Sequence, residues 1–345
     1  MIQTAGITFE YRVVLDILMN RSERQIIIKT YSCVRMKTTG ILPPFLPIEE
    51  IKKTVLQVLP DFIIETDTNF EKSDAEILVV TIFTPVNSEL LDKFPNVKFI
   101  QGVGTGYNNV DLKEVQKRGI KFSNIPTANK EAVAEHVIAM TLNFLKDMKS
   151  LDAEIRAGNW PMITGSRELK GKTFGIIGMG AIGKRLSERL LPFEVEILYY
   201  DVARLSSSDE ENFGVNYSEL DDLLCQSDII SVHVPLNQKT RNMISAPQFN
   251  LMKDGAIFIN TSRAEVVDDK ALIDAIKSKG IKAGIDVYRQ EPPDFSSEMF
   301  HLDGTLFSPH IAGVTIESQQ RFITEAISNI FRYQQGLEPQ FQVKE

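Results

Sequence analysis

The chain is poor in the residues that announce a metal centre or a disulfide framework: four histidines and two cysteines in 345 residues. Cys33 and Cys225 have no CxxC spacing, and no histidine, cysteine or carboxylate cluster has metal-ligand spacing, so no metal site is expected. The two cysteines read as ordinary buried thiols in a reducing compartment, with the cytoplasm as the default location. No apolar run approaches the roughly 18 residues that a membrane-spanning helix requires. The first residues, MIQTAGITFEYRVVLDILMN, lack a basic start and carry acids within their apolar stretch, which makes a poor signal peptide. Positive charge is also in deficit, with 38 basic against 46 acidic residues and a net charge of −8. Nucleic acid or an anionic membrane as the main partner is therefore not expected, because each needs a basic patch.

What remains is a soluble globular balance, 43% hydrophobic and 24% charged, at a length that suits two domains. Short runs rich in Ile, Val and Phe alternate with segments of helical spacing. QIIIKTYS (25–32), DFIIE (61–65), AEILVVTIF (75–83) and VKFIQG (97–102) read as strands. Between them PIEEIKKTVLQVL (47–59), NSELLDKF (87–94) and NVDLKEVQKRG (109–119) read as helices. A long apolar helix follows, NKEAVAEHVIAMTLNFLKDM (129–148), then a polar segment, RAGNWPMITGS (156–166). A second series has strands FGIIG (174–178), VEILYYD (195–201), DIISVHVP (228–235), GAIFINTS (255–262), IKAGIDVY (281–288) and TLFSPH (305–310). The helix DDKALIDAIKSKG (268–280) lies among them, and an amphipathic helix (316–336) closes the chain. This alternation predicts βαβ units and parallel sheets.

GIIGMGAIG (175–183) contains Gly178-x-Gly180-x-x-Gly183. It follows an apolar strand and opens a helix, and Asp201 stands at the end of the next strand. That is the full context of a dinucleotide site: a tight turn, backbone N–H groups near a pyrophosphate, a helix N-terminus, and a carboxylate for ribose hydroxyls. A carboxylate repels a 2′-phosphate, so Asp201 favours NAD, and NADP, which nearby Arg204 could serve, is less favoured. Asp201, His233, Arg263, Asp286 and His310 all fall at or just past the carboxyl ends of strands in this series, where an open parallel sheet binds its ligands. Arg263 can hold a carboxylate by a two-point pair. Glu291, in RQEPP, is a candidate partner that orients the ring of His310 in SPHIAG (308–313). The other histidines read more plainly. His136 is packed in a helix or at a subunit contact, His233 shapes a loop near the cofactor, and His301 is solvated.

With these residues in view the chain resembles the D-2-hydroxyacid dehydrogenases, through GTGYNNVD, NKEAVAEH, GKTFGIIGMGAIG, VHVPLNQKTRNMI, INTSRAEVVDDKAL, AGIDVYRQEP and SPHIAG, in that order between about residues 97 and 320. The resemblance implies a catalytic set of Arg263, Glu291 and His310. It implies that Thr105 and Gly106 lie at the substrate carboxylate and nicotinamide, that Ala181 and Ile182 touch the pyrophosphate, and that Asp201 meets the adenosine ribose. Val234, Pro235 and Thr240 are then expected on the adenine and ribose side, and Thr261 and Asp286 at the nicotinamide half. It implies two doubly wound parallel-sheet domains flanking a cleft: a discontinuous, flavodoxin-like substrate domain, 1–126 plus 315–345, and a Rossmann NAD-binding domain, 127–314. A homodimer through the middle domain is expected, acting on a small 2-keto or 2-hydroxy acid of glyoxylate, hydroxypyruvate or 3-phosphoglycerate type. A phosphorylated acid needs extra cations, for which Arg35, Lys37 and Arg156 are candidates. The competing class is an NAD(H)-sensing corepressor-like binding protein on the same fold. Formate dehydrogenases are disfavoured, since they carry glutamine where Glu291 stands.

Overall fold

A computed structural model describes residues 36–46, 48–162 and 165–343. The expected strand 25–32, the leading residues and Cys33 lie outside the described residues. The chain divides into two compact units, Met1–Asn129 with Ile316–Glu345, and Lys130–Thr315.

The first unit holds β1 (Thr38–Ile41), α1 (Ile48–Val58), β2 (Ile63–Glu65), β3 (Ile77–Thr81), α2 (Ser88–Asp92), β4 (Phe99–Val103), α3 (Leu112–Lys117) and β5 (Lys121–Ser123). They form a five-stranded parallel sheet in the order β2-β1-β3-β4-β5. This is the flavodoxin-like order of a doubly wound sheet. Every residue of β3 is buried, as expected of a parallel strand covered on both faces. TTGI and KFS are too short and too polar to read as strands from pattern alone, yet both pair in register.

The second unit begins with α4 (Lys130–Lys146) and α5 (Met148–Arg156). The helix expected over 129–148 is α4, which ends where Asp147 adopts a left-handed backbone (φ 53°), and α5 follows directly. Then follow β6 (Thr173–Ile177), α6 (Ala181–Leu190), β7 (Glu196–Tyr200), α7 (Ser207–Phe213), β8 (Asn216–Tyr217), α8 (Leu220–Gln226) and β9 (Ile229–Val232). After them come α9 (Ala246–Leu251), β10 (Ile257–Asn260), α10 (Asp269–Lys279), β11 (Lys282–Ile285) and β12 (Thr305–Phe307). The seven-stranded parallel sheet runs β12-β11-β10-β9-β6-β7-β8, so the strand order reverses between β6 and β9. Such a reversal is where doubly wound folds open a ligand crevice. Helix α10 shows how local sequence draws its bounds. The Asp268 carboxylate accepts from the Ala271 N–H at 3.1 Å, and Gly280 ends the helix at φ 65°. A cap of this kind contributes about 1 kcal/mol.

Cys225 is exposed, against the expectation of a buried thiol. In the short helix α8 the buried stripe is Leu223 and Leu224, and the next position turns outward. The closing helix, α11 (Ile316–Gln334), belongs to the first unit and lays Ala326, Ile327 and Ile330 on its core. Its buried Asn329 donates to the Gln101 side chain on β4 at 2.9 Å.

Candidate active site

The glycine turn is built by contact. Gly178 has φ 99°, and its N–H donates to the Tyr200 carbonyl at 2.8 Å. A methyl group on Gly178 would stand 2.8 Å from the His233 carbonyl carbon, and one on Gly183 would stand 2.3 Å from the Gly178 carbonyl oxygen. Around Gly180 the case is opposite, since a methyl there would meet nothing within 4 Å. So the first and third glycines close the strand–turn–helix, and the second leaves backbone open beside the N-terminus of α6 with Ala181 and Ile182. Open backbone at a helix N-terminus is the arrangement that receives a pyrophosphate. Asp201 follows β7 directly. Its Oδ2 accepts from the Met179 N–H at 2.7 Å, and Oδ1 accepts from the Ala203 N–H at 3.3 Å. This ties the acid to the glycine turn while acceptor capacity remains for a diol. Arg204 is committed elsewhere, forked onto Glu210 at 2.9 and 3.1 Å and lying 5.1 Å over the Tyr217 ring. Val234 packs on the core of this unit, while Thr240 closes its loop by donating to the Pro235 carbonyl at 2.6 Å. The Thr261 hydroxyl is buried without a hydrogen-bond partner, as an atom awaiting a ligand would be.

The five polar residues singled out at strand ends occupy those ends. Asp201, His233 and Asp286 each follow a strand immediately, and Arg263 and His310 stand three residues beyond β10 and β12. His310 takes a left-handed backbone (φ 55°). The His310 Nδ1 meets both Glu291 oxygens, at 2.8 and 2.9 Å. Glu291 also accepts from the Tyr288 N–H at 3.2 Å. With Nδ1 held, Nε2 is the nitrogen that can pass a proton. Arg263 is half-buried with an extended backbone, and Asn260 grips its carbonyl at 2.9 Å. Burial draws the guanidinium below its ordinary pKa, while the charges of Glu265 and Glu291 push it back up. Arg263 presents a half-buried guanidinium, suited to a carboxylate or a developing oxyanion.

Asp286 is buried, and its oxygens accept from the Ser308 hydroxyl at 2.5 Å and from the Ile311 and Ala312 N–H groups at 2.9 and 3.0 Å. His136 joins the same group, a contact that its place on an apolar helix did not announce: Nε2 lies 2.9 Å from the Ser308 hydroxyl. His233 pairs Nε2 with the Ser231 hydroxyl at 2.9 Å. Burial alone pulls its pKa down to about 3. His301 is exposed.

In the first unit, Thr105 follows β4 and donates to the Ile125 carbonyl at 3.2 Å and the Asn129 side chain at 3.0 Å, with Gly106 beside it. Of the candidate cations for a phosphate, Arg35 lies outside the described residues. Lys37, at the amino end of β1, pairs with Asp74, and Arg156 pairs with Asp152 at 2.7 Å. Among the described residues no group of three or more His, Cys, Asp or Glu is arranged to hold a metal ion. No described helix is long and apolar enough to cross a membrane.

Residues 138–312 match the D-isomer specific 2-hydroxyacid dehydrogenase, NAD binding domain family. The chain is 37% identical to a glyoxylate reductase of Thermococcus litoralis over 272 residues, 76% of this chain and 82% of that one. It is 35% identical to a hydroxypyruvate reductase of Thermotoga maritima over 263 residues, 75% of this chain and 85% of that one. A solved structure of D-lactate dehydrogenase from Aquifex aeolicus, complexed with NAD and lactic acid, superposes with a TM-score of 0.77 at 30% identity, covering 87% of this chain and 96% of that one. The two parallel-sheet units and the glycine turn agree with these matches, and the chain belongs to the D-isomer specific 2-hydroxyacid dehydrogenase family, as an NAD-dependent oxidoreductase.

Proposed function

We propose that the protein interconverts a small 2-keto acid and its D-2-hydroxy acid, with Arg263, Glu291 and His310 as the catalytic set. The observation that carries this is the His310–Glu291 pair at 2.8 Å, at the carboxyl edge of the sheet that bears the glycine turn. NADH, held by the glycine turn and Asp201, would supply the hydride for the keto carbon. Arg263 binds the substrate carboxylate and stabilises negative charge on the keto oxygen. His310 Nε2 delivers the proton to that oxygen, and Glu291 holds the ring in place through Nδ1. Gly178, Gly180, Ala181, Ile182 and Gly183 hold the pyrophosphate, and Asp201 the adenosine ribose. Val234, Pro235 and Thr240 line the adenine side, and Thr261 and Asp286 the nicotinamide side. The roles of Thr105 and Gly106, as contacts of substrate and nicotinamide, rest on the family motif alone.

NAD is favoured over NADP because Asp201 faces no counter-charge from Arg204, which Glu210 already engages. Glyoxylate or hydroxypyruvate is favoured over a phosphorylated acid, since Lys37 and Arg156 are both neutralised by carboxylates. A homodimer through the second unit is supported by exposed apolar side chains on and just after α5: Met148, Ile155, Trp160 at 82% and Met162 at 88% exposure. The exposed free thiol of Cys225 suits the cytoplasm, a reducing compartment. Loss of NADH absorbance across a panel of 2-keto acids tests the function. Turnover of none of them, with NADH binding intact, would favour a binding protein over an enzyme.

A further inference from the structure

His310 holds a backbone conformation that a residue with a side chain seldom adopts. Such a conformation persists only where its surroundings over-determine it. The constraints can be traced. The Tyr288 hydroxyl donates to the Ser308 carbonyl at 2.9 Å, and the His310 N–H donates to the same carbonyl at 3.0 Å. Beyond His310, the Ile311 and Ala312 N–H groups both end on Asp286. The remaining link is polar and comes from α4.

Asp286 accepts two backbone N–H groups and the Ser308 hydroxyl, so the Ser308 proton points at Asp286. The Ser308 oxygen must then accept from its other neighbour, and that neighbour is His136 Nε2 at 2.9 Å. This sets the ring: His136 carries its proton on Nε2. His136 also lies 4.0 Å from Asp286 itself. Helix α4 thereby reaches the turn through a one-way relay, His136 N–H to Ser308 O–H to Asp286. Each member closes the other's hydrogen bond in a half-buried setting, where an unmet polar partner is costly.

We propose that His136 and Ser308 are positioning residues for the proton-transferring His310. Asp286 anchors the turn that carries it, and His136 locks that anchor from α4. The proposal rests on the catalytic reading of His310, which a separate variant tests. The relay reaches His310 through the turn, and His136 and Ser308 are not assigned to substrate or cofactor. It acts by keeping Nε2 of His310 in register, and displacement of a catalytic group by about 1 Å can cost on the order of 10²-fold in rate.

The experiment compares His136→Ala, His136→Gln, Ser308→Ala and His310→Ala, reading kcat, KM for the keto acid, NADH dissociation constant and melting temperature on each. The expected result is a roughly 10- to 100-fold loss of kcat in His136→Ala and Ser308→Ala, with NADH affinity held within about twofold. His136→Gln, which returns an N–H donor to Ser308, recovers at least half of that loss on a logarithmic scale. A second readout does not depend on turnover. With four histidines in the chain, the imidazole N–H resonances are resolvable by nitrogen-15 NMR. The downfield signal of the His310 Nδ1–H on Glu291 weakens or disappears in His136→Ala. Loss of activity in His310→Ala with normal kcat in His136→Ala overturns the positioning role alone. Normal kcat in His310→Ala overturns the catalytic reading. Losses in His136→Ala that merely follow a lowered melting temperature, without rescue by glutamine, make the relay structural and overturn the proposal.

Discussion

Two alanine substitutions in one motif should behave in opposite ways. At Gly183 the new methyl lands 2.3 Å from the Gly178 carbonyl oxygen and 3.2 Å from Ile176. The obstacle is backbone, and Gly178 is itself pinned to Tyr200, so neither side yields cheaply. Overpacking of this kind costs about 3 kcal/mol at the upper end. Alanine returns about 1 kcal/mol through its better helix propensity. The net loss is about 2 kcal/mol, a fall in melting temperature of roughly 4–8 °C for a unit of this size. At Gly180 the methyl meets nothing, and the backbone (φ −76°, ψ −157°) admits alanine. The stability change should stay below about 1 kcal/mol, the preference of a helix N-cap for glycine over alanine. NADH affinity should nevertheless fall at least about tenfold, or about 1.4 kcal/mol, because the methyl enters the space kept open for the pyrophosphate. Differential scanning fluorimetry and fluorescence titration of NADH read the two quantities on the same samples. Unchanged NADH binding by Gly180→Ala would refute the assignment of that space, as would equal melting losses in the two variants.

Other outcomes follow from the same geometry. Asp201→Ala should narrow the preference for NADH over NADPH, read as a ratio of kcat/KM values; a ratio that stays put would remove Asp201 from the ribose site. Arg263→Lys should lower kcat/KM for the keto acid by about tenfold or more, with NADH binding nearly unchanged, since an ammonium lacks the planar fork. An equal loss of NADH affinity would instead tie Arg263 to the cofactor or to the fold. His233 is held neutral by burial, with its pKa down to about 3, whereas an unfolded histidine titrates near 6.5. The unfolded state therefore binds the extra proton, and stability should decline as pH falls from about 6.5 towards 3. Melting temperatures should show a shallower decline for His233→Gln across that window, and parallel curves would contradict the assignment.

Much of the architecture was legible in the chain because it is written locally. Ile- and Val-rich runs buried on both faces, helical spacing between them and the three glycines before α6 each depend on neighbours a few residues away. The gathering of Asp201, His233, Arg263, Asp286 and His310 at strand ends follows from the same alternation, since a parallel sheet brings all its carboxyl ends to one edge. TTGI and KFS could not be read as strands, because their strand character comes from the neighbours they pair with. Cys225 escaped because outward or inward placement on a two-turn helix hangs on which stripe the core selects.

Tertiary structure alone decided which polar atoms meet. His136 and Ser308 are 172 positions apart, and Asn329 and Gln101 are 228 apart. Nothing in the local pattern of either segment encodes such a partner. Only tertiary structure could put a left-handed turn on His310, because Asp286, brought alongside by β11, collects the amides that follow it. Periodicity is a property of a segment. A hydrogen bond between segments is a property of the packed chain, where burial removes water as the alternative partner and leaves each donor one acceptor to find.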